Sequence, residues 1–124
     1  MSCRILIAED NESNKLLLRD LLCAHGFETA EVSNGRECIE VARKMMPDLI
    51  LMDIRMPEMD GVTATKLLKK DEETSELKII AVTAYNMLGD AEKFLAAGFD
   101  GYLAKPINTR EFTGLVNKWL DEGE

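Results

Sequence analysis

The sequence is poor in positive charge. Its 15 lysines and arginines face 23 aspartates and glutamates, giving a net charge of −8, and no Lys/Arg-rich stretch breaks that balance. This argues against direct binding of nucleic acid or of an anionic membrane surface. Histidine is nearly absent. His25 is the only one, so a Ser–His–Asp or Cys–His catalytic arrangement has no support, and neither has a multi-histidine metal site. Its place at the end of a helical pattern, against the negative end of the helix dipole, is a common structural one. The three cysteines, Cys3, Cys23 and Cys38, are odd in number and lack C-x-x-C spacing. They read as buried, reduced thiols of a cytosolic protein, not as a zinc or redox site. Apolar runs last only a few residues, far short of the ~20 that span a bilayer. The first residues lead straight into a strand pattern with no signal-peptide signature. No internal repeat, low-complexity tract or linker is visible.

What is present is a regular alternation. A chain of 124 residues, 46% hydrophobic and 31% charged, has the size and composition of one soluble domain spanning residues 1–124. Short apolar runs alternate with helical patterns, which predicts repeated βα units around a parallel sheet. The first strand is predicted over about 4–8 and the first helix over about 13–25, with Leu17, Leu18, Leu21 and Leu22 on one face and Gly26 as its stop. The second strand, Glu28 to Val32, is the most polar of five and belongs at a sheet edge. A second helix follows Asn34-Gly35 and places Cys38, Val41, Ala42 and Met45 at helical spacing before Pro47. The third strand, entered at Leu49, is apolar enough to be buried on both faces.

A third helix, over about 61–70, packs through Val62, Thr65 and Leu68, and the acidic stretch from Asp71 to Glu73 reads as a solvated loop. The fourth strand starts at Ile79. The fourth helix, over about 87–97, carries Leu88, Ala91 and Leu95 and stops at Gly98. After a short strand ending at Ala104, the last helix opens on a possible capping box, Asn108 with Glu111. Its stripe is Phe112, Leu115, Val116, Trp119 and Leu120.

Polar groups follow four of the apolar runs directly or one step on. Glu9 and Asp10 follow the first, Asp53 the third, Thr83 the fourth and Lys105 the fifth. If the runs are parallel strands, their C-terminal ends bring these residues to one crevice. Three carboxylates that close repel one another, at roughly 4 kcal/mol per close pair at an effective dielectric near 20. A fold tolerates that where a cation normally sits, and hard oxygen donors suit Mg²⁺. Alone, Glu9 or Asp10 would read as part of a solvated acidic loop; together with Asp53 they read as a metal site. Asp53 can then act as a nucleophile towards a phosphoryl group. Mg²⁺ would neutralise one phosphoryl oxygen, Lys105 a second, and Thr83 with backbone amides a third.

At these residues the chain resembles a response-regulator receiver domain. The matching motifs are Ile7-Ala8-Glu9-Asp10-Asn11, Pro47 through Asp53, Met56-Pro57-Glu58-Met59-Asp60-Gly61, Val82-Thr83-Ala84 and Lys105-Pro106. Each is weak alone; in this order and spacing they are specific. The resemblance implies a doubly wound α/β fold of flavodoxin-like type, with five parallel strands in the order 2-1-3-4-5. It implies Asp53 as phosphoacceptor and Asp10, Asp53 and the backbone carbonyl of Arg55 as Mg²⁺ ligands, with Glu9 acting through water. Thr83 would be the switch hydroxyl, Lys105 the phosphate-binding ammonium, Lys105-Pro106 a cis peptide and Tyr102 a rotating switch aromatic. The resemblance puts bulky, cationic Arg55 at a position that tunes dephosphorylation, and Tyr85 is an aromatic beside the switch threonine; both bear on the lifetime of the phosphoform.

The implied activity is signalling, not enzymatic turnover of other molecules. The phosphoryl donor would be a histidine kinase or a histidine phosphotransfer protein. A downstream protein would be met on the face of helix 4, strand 5 and helix 5, in the cytoplasm. A haloacid-dehalogenase-like phosphatase would need an acid where Arg55 stands. A flavodoxin would need a hydroxyl-rich loop where Glu9-Asp10-Asn11 stands. A phosphorylation-independent interaction module would usually have lost an acidic or lysine position, and none is lost. Met1 at the natural start favours a stand-alone regulator of the chemotaxis or cell-division kind. The alternative is a receiver from a hybrid histidine kinase or larger regulator, which Glu9 to Asn14 and Asp60 to Thr65 also resemble.

Overall fold

The computed structural model describes residues 3–83, 92 and 94–122. The expected strands all form: β1 (Arg4–Ala8), β2 (Glu28–Val32), β3 (Leu49–Asp53), β4 (Ile79–Thr83) and β5 (Gly101–Ala104). They make one parallel sheet in the order β2-β1-β3-β4-β5. Every residue of β3 and β4 is buried, as a strand covered on both faces requires. Polar β2 lies at an edge with only Val32 buried.

The helices are α1 (Glu12–Ala24), α2 (Gly35–Met45), α3 (Gly61–Lys70), α4, described over residues 94–97, and α5 (Thr109–Glu122). Leu88 and Ala91 lie outside the described residues. Three N-termini are closed by a side-chain oxygen: Asn11 on the Asn14 amide, Asn34 on that of Glu37 and Asp60 on that of Thr63. Asn108 does the same for α5, accepting from the amides of Arg110 at 3.0 Å and Glu111 at 3.4 Å. Gly26 ends the first unit at φ +86°, where a side chain is strained.

Alternation along the strands splits the core into two layers. Leu6, Ile50, Met52 and Ile79 face Cys38, Ala42, Ala64, Leu68 and Phe94 of α2, α3 and α4. Ile5, Ile7, Leu51, Ile80 and Val82 face Leu18, Leu22, Phe112, Val116 and Trp119 of α1 and α5. Each fully buried Leu or Ile side chain contributes about 1.5–3 kcal/mol, so both layers are needed.

Some expected details differ. Leu17 is exposed, because α1 turns only Leu18 and Leu22 fully onto the sheet. Leu95 points to solvent while Phe94 and Ala97 are buried. Cys38 is buried, Cys3 half-buried and Cys23 exposed. Periodicity alone does not separate the flanks of α1, where Leu17 and Cys23 lie, from its buried face. The acidic loop is less bare than expected: Asp71 pairs with Arg43 at 2.7 Å, and buried Thr74 donates to the Leu68 carbonyl at 2.6 Å. His25 has the structural role expected of it, with Nδ1 2.9 Å from the Leu21 carbonyl.

Candidate functional site

Parallel register decides what meets at the C-terminal edge of the sheet. Ala8 pairs with Val32 and with Met52, Asp53 with Val82, and Thr83 with Ala104. The residues just past those positions, Glu9, Asp10 and Lys105, therefore emerge side by side with Asp53 and Thr83. The backbone reinforces the edge: the Glu9 amide donates to Val32 and the Lys105 amide to Thr83. All five line one cleft of about 570 Å³, together with Asn11, Asn14, Ile54 and Arg55.

The three carboxylates offer oxygens that all lie within 4.8 Å of one another. Glu9 and Asp53 are buried and Asp10 is exposed. Lys105 is the ammonium among the described residues of this cleft, which Arg55 also lines. Its Nζ donates to Glu9 Oε1 at 2.9 Å and Oε2 at 3.3 Å, and lies 3.4 Å from Asp53 Oδ2. Asp53 Oδ1 accepts from the Arg55 amide at 3.3 Å. One ammonium does not balance three ionised carboxylates. The consequence falls on Asp53, whose carboxyl is pushed up to about 7 by burial, then by a hydrogen bond from its protonated form to Glu9 and by the Glu9 charge. For Lys105, burial works against the charge, but the Glu9 hydrogen bond and the Asp53 and Glu9 charges outweigh it and its ammonium is stabilised.

The donor set fits Mg²⁺. It consists of hard oxygens only, close enough to share one ion, open to the water a Mg²⁺ ion keeps, and in excess of the available positive charge.

Loop 54–60, whose first residues Ile54 and Arg55 line the cleft, is tied by backbone hydrogen bonds. The Gly61 amide donates to the Ile54 carbonyl and the Gly35 amide to the Met59 carbonyl. Lys105-Pro106 is cis. Tyr102 pairs with Ala81 across β4 and β5 and is half exposed, outside the cleft lining. Tyr85 and Ala84 lie outside the described residues.

Asn14 was not anticipated. Its Nδ2 donates to Glu9 Oε1 at 3.0 Å. An asparagine one helical turn before Leu18, on the stripe that faces the sheet, was the signal that could have found it.

Known proteins agree with this geometry. The family model for the response regulator receiver domain matches residues 5–117. The polar-differentiation response regulator DivK of Brucella anthropi is 44% identical over 118 residues, 95% of this chain and 96% of that protein. DivK of Brucella ovis is 43% identical over 122 residues, 98% of this chain and 99% of that protein. Among solved structures, the receiver domain of the sensor histidine kinase PA1611 from Pseudomonas aeruginosa has a magnesium ion coordinated in its active-site cleft. It superposes with a TM-score of 0.89 at 34% identity, covering 98% of this chain and 99% of that one. A CheY-like receiver domain protein from Methanospirillum hungatei gives a TM-score of 0.90 at 28% identity, covering 99% of this chain and 97% of that one. The chain belongs to the response regulator receiver domain family, the phosphoacceptor module of two-component signalling.

Proposed function

We propose that Asp53 accepts a phosphoryl group from the phosphohistidine of a histidine kinase or histidine phosphotransfer protein, and that this alters binding to a downstream protein. The observation that carries the reading is the setting of Asp53. It is buried at the end of β3, within reach of Lys105, and shares a carboxylate cluster with Glu9 and Asp10.

A carboxylate oxygen of Asp53 attacks phosphorus, the O–P bond forms as the P–N bond breaks, and the imidazole leaves with the electron pair. Asp10, Asp53 and the Arg55 carbonyl would hold Mg²⁺ directly, and Glu9 through water. When bound, Mg²⁺ supplies positive charge to the phosphoryl oxygens and keeps Asp53 ionised. Lys105 and Thr83 orient the remaining phosphoryl oxygens, which is most of what phosphoryl transfer asks of a protein. The chain thus catalyses only its own phosphorylation and dephosphorylation.

For output, the Thr83 hydroxyl moves towards the phosphoryl group and Tyr102 turns inward, reshaping the face of α4, β5 and α5 where the downstream protein docks. Half-exposed Tyr102 on the strand beside Thr83 supports this. The greater identity to the DivK regulators than to the kinase receiver supports a stand-alone regulator; the proposed setting is the cytoplasm, and the net charge of −8 argues against nucleic-acid or anionic-membrane contact. Among the described residues, no helix is long and apolar enough to cross a membrane.

Acetyl phosphate with Mg²⁺ should add one phosphoryl group, read by intact-protein mass spectrometry, and a chelator should block it. Equal labelling of Asp53→Asn would overturn the assignment. Beryllofluoride should shift amide NMR signals most around residues 83–106; shifts confined to the neighbourhood of Asp53 would argue for a module without the switch.

A further inference from the structure

We infer that Asn14 is a positioning residue for phosphoryl acceptance: its amide keeps the buried Glu9 carboxylate hydrogen-bonded while Lys105 leaves it for the phosphoryl group. This rests on the reading of Asp53 as the phosphoacceptor. The starting observation is that Lys105 is committed elsewhere. Its contacts to Glu9, at 2.9 and 3.3 Å, are shorter than its 3.4 Å approach to Asp53. To reach a phosphoryl oxygen on Asp53, the ammonium must loosen from Glu9.

Glu9 is only 1% exposed, so beyond a water carried by the metal little solvent can replace a lost donor, and a buried carboxylate short of donors is costly. Asn14 supplies the donor that stays. Its Nδ2 reaches the same Oε1 that Lys105 binds, at 3.0 Å. The amide is neutral, so it holds Glu9 without competing as a cation for the phosphoryl group.

Its placement is built into the fold. The Asn14 backbone amide donates to Asn11 Oδ1 at 3.0 Å, which sets the first turn of α1. Leu18 and Leu22, four and eight residues on, are buried against the sheet. Asn14 is thus the polar head of the stripe that docks the helix, where the stripe passes the strand ends and reaches the cleft.

The test is the rate of phosphorylation by acetyl phosphate in a Mg²⁺ titration, for wild type, Asn14→Ala, Glu9→Gln and the Glu9→Gln/Asn14→Ala double variant. Alanine favours the helix, and circular-dichroism melts check that each variant is folded. Asn14→Ala should lower the plateau rate by about 3- to 10-fold, the scale of one ordinary hydrogen bond. The Mg²⁺ concentration at half-plateau should change less than about twofold, since the loss is in releasing Lys105. In the Glu9→Gln background the same substitution should change the plateau by less than about twofold.

Three results would overturn the inference: an unchanged plateau in Asn14→Ala, a change confined to the Mg²⁺ midpoint, or an equal loss in both Glu9 backgrounds. Each is distinct from failure of the underlying reading, in which wild type itself takes no label at Asp53.

Discussion

Gly61 lies so close behind Asp53 that a Cβ at Gly61 would sit 2.1 Å from the Asp53 carbonyl oxygen and 2.9 Å from Met52 Cγ. Backbone cannot move aside as a flexible side chain can. Helix propensity alone would make Gly61→Ala stabilising by up to ~1 kcal/mol. The contact distance reverses that sign. Gly61→Ala should lower stability by about 1–3 kcal/mol, read as a lower urea midpoint at unchanged slope. A higher midpoint would mean that the loop opens without strain.

The carboxylate cluster makes the metal-free protein sensitive to pH. Asp53 is raised in the folded state from an ordinary 3.8 to about 7. Its unfolded form therefore ionises first as pH rises, and stability is lost between those two values. In a chelator, the wild type should melt at a lower temperature at pH 8 than at pH 5. Asp53→Asn should melt above wild type at pH 8, by roughly 3–8 °C, with the gap closing towards pH 4. Added Mg²⁺ should raise the wild-type midpoint and do much less for Asp10→Asn. A wild type that is the most stable metal-free form at pH 8, and indifferent to Mg²⁺, would mean the three acids do not act as one site.

The thiols should separate by reactivity. Burial pushes the Cys38 thiol up to about 12, while Cys23 is exposed, with its Sγ 3.7 Å from Thr29 Oγ1. Ellman's reagent at pH 8 should label Cys23 quickly and Cys38 only on unfolding. Early labelling of Cys38 in Cys23→Ser would show that the layer under α2 opens locally.

Among the described residues, Thr65 Oγ1 is buried with no hydrogen-bond partner. Valine has nearly the same shape and no orphaned hydroxyl, so Thr65→Val should stabilise the protein by about 1 kcal/mol. Chemical denaturation decides it, and a loss of stability would show that the hydroxyl is satisfied in solution.

Much of this was legible from residue order. The burial of β3 and β4, the edge position of polar β2 and the convergence of Glu9, Asp53, Thr83 and Lys105 follow from apolar runs that end in a polar group. The strand order came as much from the family resemblance as from the runs. Side-chain choices within reach of several partners were not legible. Lys105 was expected on the phosphoryl side of the cleft, yet its shortest contact is to Glu9. The spacing of Asn14 to Leu18 puts it on the docking stripe of α1, but what its amide touches depends on how the helix is set down across the strand ends. The exposure of Leu17 and Cys23 likewise depends on that setting, which a pattern of leucines leaves free by a fraction of a turn.

The hydrogen bond from Lys105 to Glu9 joins residues 96 apart in sequence, and it ties edge strand β5 to the middle of the sheet. During synthesis the acidic residues emerge early, and Lys105, the one ammonium among the described residues of the cleft, comes near the end. Closing so long a loop is slow and comes late in folding. A chain interrupted before β5 would carry the proposed acceptor Asp53 with Glu9, Asp10 and Thr83, but not Lys105. On the proposed reading, the clamp for a phosphoryl group is complete only once the last strand has docked.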